Sequence, residues 1–142
     1  MSATWMKWLL SASLAAVLSP PPASAQALDF ETFKTRVEPI FLEKRPGHAR
    51  CYACHVHANT AFRLEKLATG RTSWSEEQSR RNFETAQRLV VPGNPEASHL
   101  LLHPLAPEAG GEPFHSGGRQ FKSKDDPDWQ ALADWVRGLP SK

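Results

Sequence analysis

At 142 residues with a formal net charge of +2, the chain is sized for one domain and has no polybasic footprint, which argues against nucleic acid as a partner. Two cysteines cannot staple distant segments together. Stability must therefore come from an apolar core or from a bound group that acts as one.

Residues 1–25 read as a secretory leader. Lys7 is their only charge, an apolar run follows from Trp8 to Leu18, and Ser19-Pro20-Pro21-Pro22 leads to Ala23-Ser24-Ala25, a small-residue cleavage site. The apolar run is too short to span a membrane, which takes about 20 residues. The expected mature chain, 26–142, keeps 16 basic and 15 acidic residues, a net +1. No second long apolar run follows, so the mature chain is expected not to insert into a membrane and to reside in the periplasm.

The rest reads as helices joined by irregular loops. Asp29 is placed to cap a first helix with Phe30, Phe33 and Val37 on one face. Pro39 should kink or restart it, with Ile40 and Phe41 continuing the apolar side. Arg45-Pro46-Gly47 is a turn. A second helix follows Trp74, opened by a capping box of Ser75 with Gln78 or of Ser73 with Glu76. Its stripe is Phe83, Ala86, Leu89 and Val90, and Pro92-Gly93-Asn94-Pro95 should end it. Asn94 then caps a short helix with Pro95 at its first position, which carries Ser98 to Leu102 and must stop before Pro104. The stretch 106–120 is loop. The last helix has Asp126 as cap, Pro127 in its first turn, Trp129, Leu132, Ala133 and Val136 inside, and Gly138 and Pro140 beyond its end. It should cross the first helix, with Phe30, Phe33 and Val37 against Leu132, Trp135 or Val136. No run alternates as a strand would.

Between the first two helices stands Cys51-Tyr52-Ala53-Cys54-His55, which is C-x-x-C-H. This is the c-type haem attachment pattern. Two thiols three residues apart can add to the two vinyl groups of one porphyrin, and the histidine directly behind them can serve as proximal iron ligand. Other readings are a thioredoxin-like redox pair, which belongs to a βαβ pattern not seen here, a zinc site, and a small-loop disulfide. His99 and His103 offer an i, i+4 pair for zinc, but without the Glu of H-E-x-x-H. One C-x-x-C-H implies one covalently attached haem c. His57, two residues past His55, turns away on a helix and reads as surface. His48 reads as surface or as a neighbour of a haem propionate.

Only two methionines are present, Met1 and Met6, and both fall in the leader. A methionine sulfur is therefore not expected as the second axial ligand. His115, in the glycine-rich Phe114-His115-Ser116-Gly117-Gly118, is the first candidate for the distal position. His103 is the alternative, and an open iron is the third possibility. Arg63, Arg71, Arg80, Arg81 and Arg119 are candidate propionate partners, with solvated surface charge the commoner role for such residues.

The order of helices, C-x-x-C-H and distal loop resembles class I cytochromes c. More closely, the chain resembles the planctomycete-type cytochrome c domain of exported bacterial proteins. The resemblance rests on Val37-Glu38-Pro39-Ile40-Phe41, Val91-Pro92-Gly93-Asn94-Pro95-Glu96 with Leu100-Leu101, His115-Ser116-Gly117-Gly118, and Asp126-Pro127-Asp128-Trp129 with Trp135-Val136-Arg137-Gly138. It spans about residues 30–138. It implies an all-α, class I-like fold, with N- and C-terminal helices packed around one covalent haem, and a one-electron carrier. The expected partners are redox proteins such as a dehydrogenase or an oxidase. The rival expectation is a haem enzyme, peroxidase-like, or a gas sensor with an open sixth position.

Overall fold

The computed structural model describes residue 1 and residues 27–139. The leader from residue 2 on and Pro140 lie outside the described residues. The fold is all-α: helices and irregular loops, with only the isolated bridges Val91–Asn94 and Leu105–Phe121 and no strand among the described residues.

The N-terminal helix begins at Asp29, whose carboxylate accepts from the Thr32 amide at 2.6 Å. It runs from an α turn (Phe30–Thr32) through a π-helical segment (Phe33–Val37) back into α-helix (Glu38–Leu42). Pro39 explains the wide segment. A proline has no amide to give and its ring collides with the carbonyl four residues back. Here the Glu38 amide reaches five back, to Phe33 O, and the helix widens ahead of the proline instead of breaking. Phe33, Val37, Ile40 and Phe41 stay buried throughout.

The C-terminal helix (Pro127–Val136) is capped by Asp126, which accepts from the amides of Asp128 and Trp129. It buries Trp129, Leu132, Ala133, Trp135 and Val136. The two terminal helices meet as expected. The Phe33 ring lies 5.3 Å from that of Trp135, and Trp135 Nε1 donates to Asp29 O at 3.0 Å. Arg45 pins the chain just ahead of the cysteines to the start of this helix. It pairs with Asp126 and Asp128 and lies 5.0 Å over the Phe121 ring.

The middle helix (Glu76–Gln87) uses the Ser75–Gln78 capping box. It ends before the predicted stripe does. Leu89 and Val90 still pack on the core, but from tight turns, with Leu89 O taken by the Leu100 amide at 3.0 Å. Its inward face also carries polar residues that periodicity alone does not reveal. Ser79 and Asn82 are buried and donate to the buried Glu38 carboxylate at 2.7 and 3.2 Å.

A 3₁₀ turn (Pro95–Ala97) and a one-turn helix (His99–Leu102) follow. Asn94 makes no side-chain cap. Ser98 does the local work instead, accepting from the Val91 amide at 2.9 Å and donating to Asn94 O at 2.8 Å. No helix among the described residues is long and apolar enough to cross a membrane.

Candidate cofactor cavity

The short helix Cys51–His55 lies against the end of the N-terminal helix and opens onto a cavity of about 560 Å³. That volume falls in the range of about 300–1,000 Å³ usual for small-molecule and cofactor sites. Its walls are largely apolar, from Ile40, Phe41, Phe62, Leu100, Phe121 and Leu132. Cys51, Cys54, His55, His103 and His115 all line it. The chain thus brings together, from 51–55 and from 99–117, the residues singled out as thioether and iron-ligand candidates.

His55 and His115 both line the cavity, and each is held by a backbone carbonyl. His55 Nδ1 lies 2.7 Å from Phe62 O, and His115 Nδ1 lies 2.5 Å from Gly118 O. A carbonyl only accepts, so each Nδ1 carries the proton and each Nε2 carries the ring's lone pair. Fixing a ligand histidine by its other nitrogen is the usual device at metal centres. The two ring centres are 6.3 Å apart, with planes inclined by 17°. With metal–imidazole bonds of about 2.0–2.1 Å, two imidazoles on opposite sides of one ion have centres roughly 6.4 Å apart. Burial pulls the His55 pKa below its ordinary value, helped by the nearby His115 and His103 and opposed by the bond to Phe62 O. A neutral imidazole is the form that binds a metal.

Cys51 is half-buried beside the cavity and Cys54 is exposed. Burial pushes the Cys51 thiol up to about 11. Redox-active dithiols need the opposite shift, towards a thiolate at neutral pH. Among the described residues no group of three or more His, Cys, Asp and Glu side chains is arranged to hold a bare metal ion. Two imidazoles are what a porphyrin, which supplies four nitrogens of its own, leaves for a protein to provide. The cavity wall also holds Gln120, 6% exposed, whose Nε2 donates to Ala49 O at 3.2 Å and whose Oε1 has no partner. A buried acceptor left alone marks a surface shaped to meet another group or a water. The donor set and the cavity size fit a haem, which two thiols and two imidazoles would hold.

The other candidates fall into place around this pair. His103 packs edge-on against His115, ring centres 4.8 Å apart, and its Nδ1 bonds Glu112 at 2.7 Å. His99 Nδ1 lies 2.5 Å from the other oxygen of the same carboxylate, a contact that is an ion pair only when the ring is protonated. His57 is exposed, and His48 lines a separate cavity near Lys122 and Asp125. Arg80 and Arg81 pair with Glu76, Glu77 and Glu65 on the surface. Arg63 and Arg71 are exposed, and Arg119 donates to His103 O at 3.1 Å. None of these five arginines lines the cavity, whereas Arg50 does. Sequence reasoning passed over Arg50, although it directly precedes Cys51. It also passed over Glu112 and Gln120, which no motif marks.

No protein family, curated protein or solved structure matches this chain.

Proposed function

We propose that the chain is a monohaem c-type cytochrome that carries single electrons between redox proteins in the periplasm. Cys51 and Cys54 hold the haem by thioethers, His55 is the proximal ligand and His115 the distal one. The observation that carries this reading is the pair of imidazoles on one cavity, each with Nδ1 on a backbone carbonyl and with centres 6.3 Å apart. Haem bound there supplies a ferric/ferrous couple. The chain's own part is to hold both imidazoles in fixed tautomers, to wall the cavity with apolar side chains that exclude water, and to leave Cys54 and the 58–61 segment at its open side. Two nitrogen ligands place the potential below that of His/Met cytochromes. The similarity to planctomycete-type cytochrome c domains points the same way, with a dehydrogenase or oxidase as partner class.

The test is the oxidised spectrum. Purified from cells that mature c-type cytochromes, the protein should carry one covalent haem with six-coordinate, low-spin iron. His115→Ala should turn high-spin, while His99→Ala should not. Retention of the low-spin signal in His115→Ala together with its loss in His103→Ala would move the distal ligand to His103. One observation favours a second reading, an open-iron enzyme: His103, backed by Glu112, stands beside His115 where a distal acid–base group would be needed. A wild type that is high-spin and binds cyanide at once would decide for that reading.

A further inference from the structure

His115 sits near the tip of a strap whose two roots are fixed by backbone bonds. At one root the Glu112 amide donates to Leu102 O at 3.0 Å and the Gly111 amide to Ala106 O at 3.0 Å. At the other, the Gln120 and Phe121 amides donate to Pro104 O at 2.9 and 3.2 Å. The tip between them is lightly held. Phe114 and Ser116 are exposed, and the bonds within it are those of one turn, Gly118 N to His115 O at 3.0 Å and His115 Nδ1 to Gly118 O at 2.5 Å. A lightly bonded loop of this kind opens at small cost. Something else must hold the imidazole over the cavity.

We propose that Glu112 is the clasp of this strap: its carboxylate, hydrogen-bonded to His103 and in contact with His99, sets how often His115 leaves the iron. The inference rests on the two-imidazole reading. Oε1 meets His99 Nδ1 at 2.5 Å and Oε2 meets His103 Nδ1 at 2.7 Å. One carboxylate therefore reaches the first residue and the C-cap of the one-turn helix His99–Leu102, which anchors the first root through Leu102 O, while the second root is anchored just beyond it on Pro104 O. Arg119, at the far root, closes the ring by donating to His103 O at 3.1 Å. The gripped His103 ring is the one that packs against His115 at 4.8 Å, so the clasp reaches the distal imidazole through a single side chain. Glu112 touches no iron and acts as a positioning residue. With the clasp intact the sixth position stays filled, and small anions such as cyanide must wait for the strap to open. With the clasp cut, the opened fraction rises and the same anion enters sooner.

The experiment follows cyanide binding to the oxidised holoprotein by stopped flow, together with amide hydrogen exchange over 111–118. Glu112→Ala should speed cyanide entry about 5-fold, the scale of one net hydrogen bond, and raise exchange at Gly118. Glu112→Gln keeps one accepting oxygen and should fall between Ala and wild type. Thermal unfolding should move little for either variant, because Glu112 is only half-buried and lies off the main core. Unchanged cyanide rates and unchanged exchange in Glu112→Ala overturn the proposal. So does a faster rate that Gln leaves at the Ala value while melting falls by the same amount in both, since that marks plain destabilisation. If wild type proves high-spin and His115→Ala leaves it so, the ligand reading fails on its own, and the exchange data still decide whether Glu112 holds the strap.

Discussion

Phe33→Ala should cost a large share of the fold's margin of stability without touching the cofactor site. Phe33 is fully buried at the crossing of the terminal helices. Its ring lies 5.3 Å from Trp135, 5.4 Å from Phe83 and 6.2 Å from Phe41, so it is the shared member of three aromatic contacts. Truncating a buried Phe removes its transfer free energy and leaves a cavity, together about 3–5 kcal/mol. The upper half of that range applies here, because Trp135 is tied by its indole to Asp29 O and cannot slide in to fill the space. A domain of this size has about 5–15 kcal/mol in all and loses roughly 4 °C of Tm per kcal/mol, so a drop of about 16–20 °C is expected. Thermal unfolding of the holoprotein, followed by far-ultraviolet circular dichroism, measures it. Phe33 does not line the cavity, so the low-spin spectrum at 20 °C should survive. A fall of less than about 5 °C would refute the argument that this crossing carries the fold. Loss of the low-spin signal in a still-folded variant would refute the separation of core from site.

Two further outcomes follow, one from a buried carboxyl and one from a glycine under close contact. Burial raises the Glu38 carboxyl above its usual value of 4.5, against the opposing bonds from Ser79 and Asn82. The folded state therefore holds its proton more tightly than the unfolded one, and this group's contribution to stability is full below about pH 4.5 and is lost as pH rises through the folded pKa. Relative to Glu38→Gln, wild-type stability in urea should fall as pH climbs from 4.5 towards neutrality, and a difference that stays flat or rises would show the sign to be wrong. At Gly111 a Cβ would lie 2.0 Å from Leu105 O and 2.9 Å from Ala106 O, both backbone atoms that cannot rotate away. Gly111→Ala should cost about 3 kcal/mol by overpacking, shift one root of the strap, and give a mixed-spin spectrum. A variant that melts and absorbs like wild type would remove the strap from the account of the site.

The parts of the fold that could be read from the chain are those set by short-range chemistry. Asp29, Ser75 and Asp126 announce their helices because a cap needs only a side-chain oxygen within three residues of the amide it satisfies. The apolar stripes of the terminal helices repeat at helical spacing, and both helices bury them. Where two local signals compete, reading the sequence is less reliable. Pro39 signals a kink or a restart, and the α-helix does restart at Glu38, but the sequence does not reveal the π-helical turn before it, which keeps Phe33 and Val37 on one buried face. Leu89 and Val90 look like the end of a helix, yet Leu100 takes the Leu89 carbonyl and turns the chain first. Both outcomes depend on partners distant in the sequence.

The same distinction separates the site residues. Cys51, Cys54 and His55 stand in one five-residue motif, so their chemistry is written in their spacing. His115 lies 60 positions away from His55 and was singled out by the lack of a methionine in the mature chain and by its glycine-rich surroundings. Its place depends on Gly111, on the Ala106–Phe121 backbone bond, and on the turn at 115–118, none of which carries a spacing rule. Glu112 is least visible of all. It is one of fifteen acidic residues, and nothing in its neighbours distinguishes it from a solvated surface charge. Only the folding of 112 back onto 99–103 gives its carboxylate two imidazoles to hold. The proposed proximal ligand is marked by chemistry that reads along the chain, whereas the place of the proposed distal one, and the stiffness with which both would be held, depend on contacts between segments. Exogenous-ligand kinetics should therefore respond to residues like Glu112 and Gly111 while the identity of the ligands stays the same.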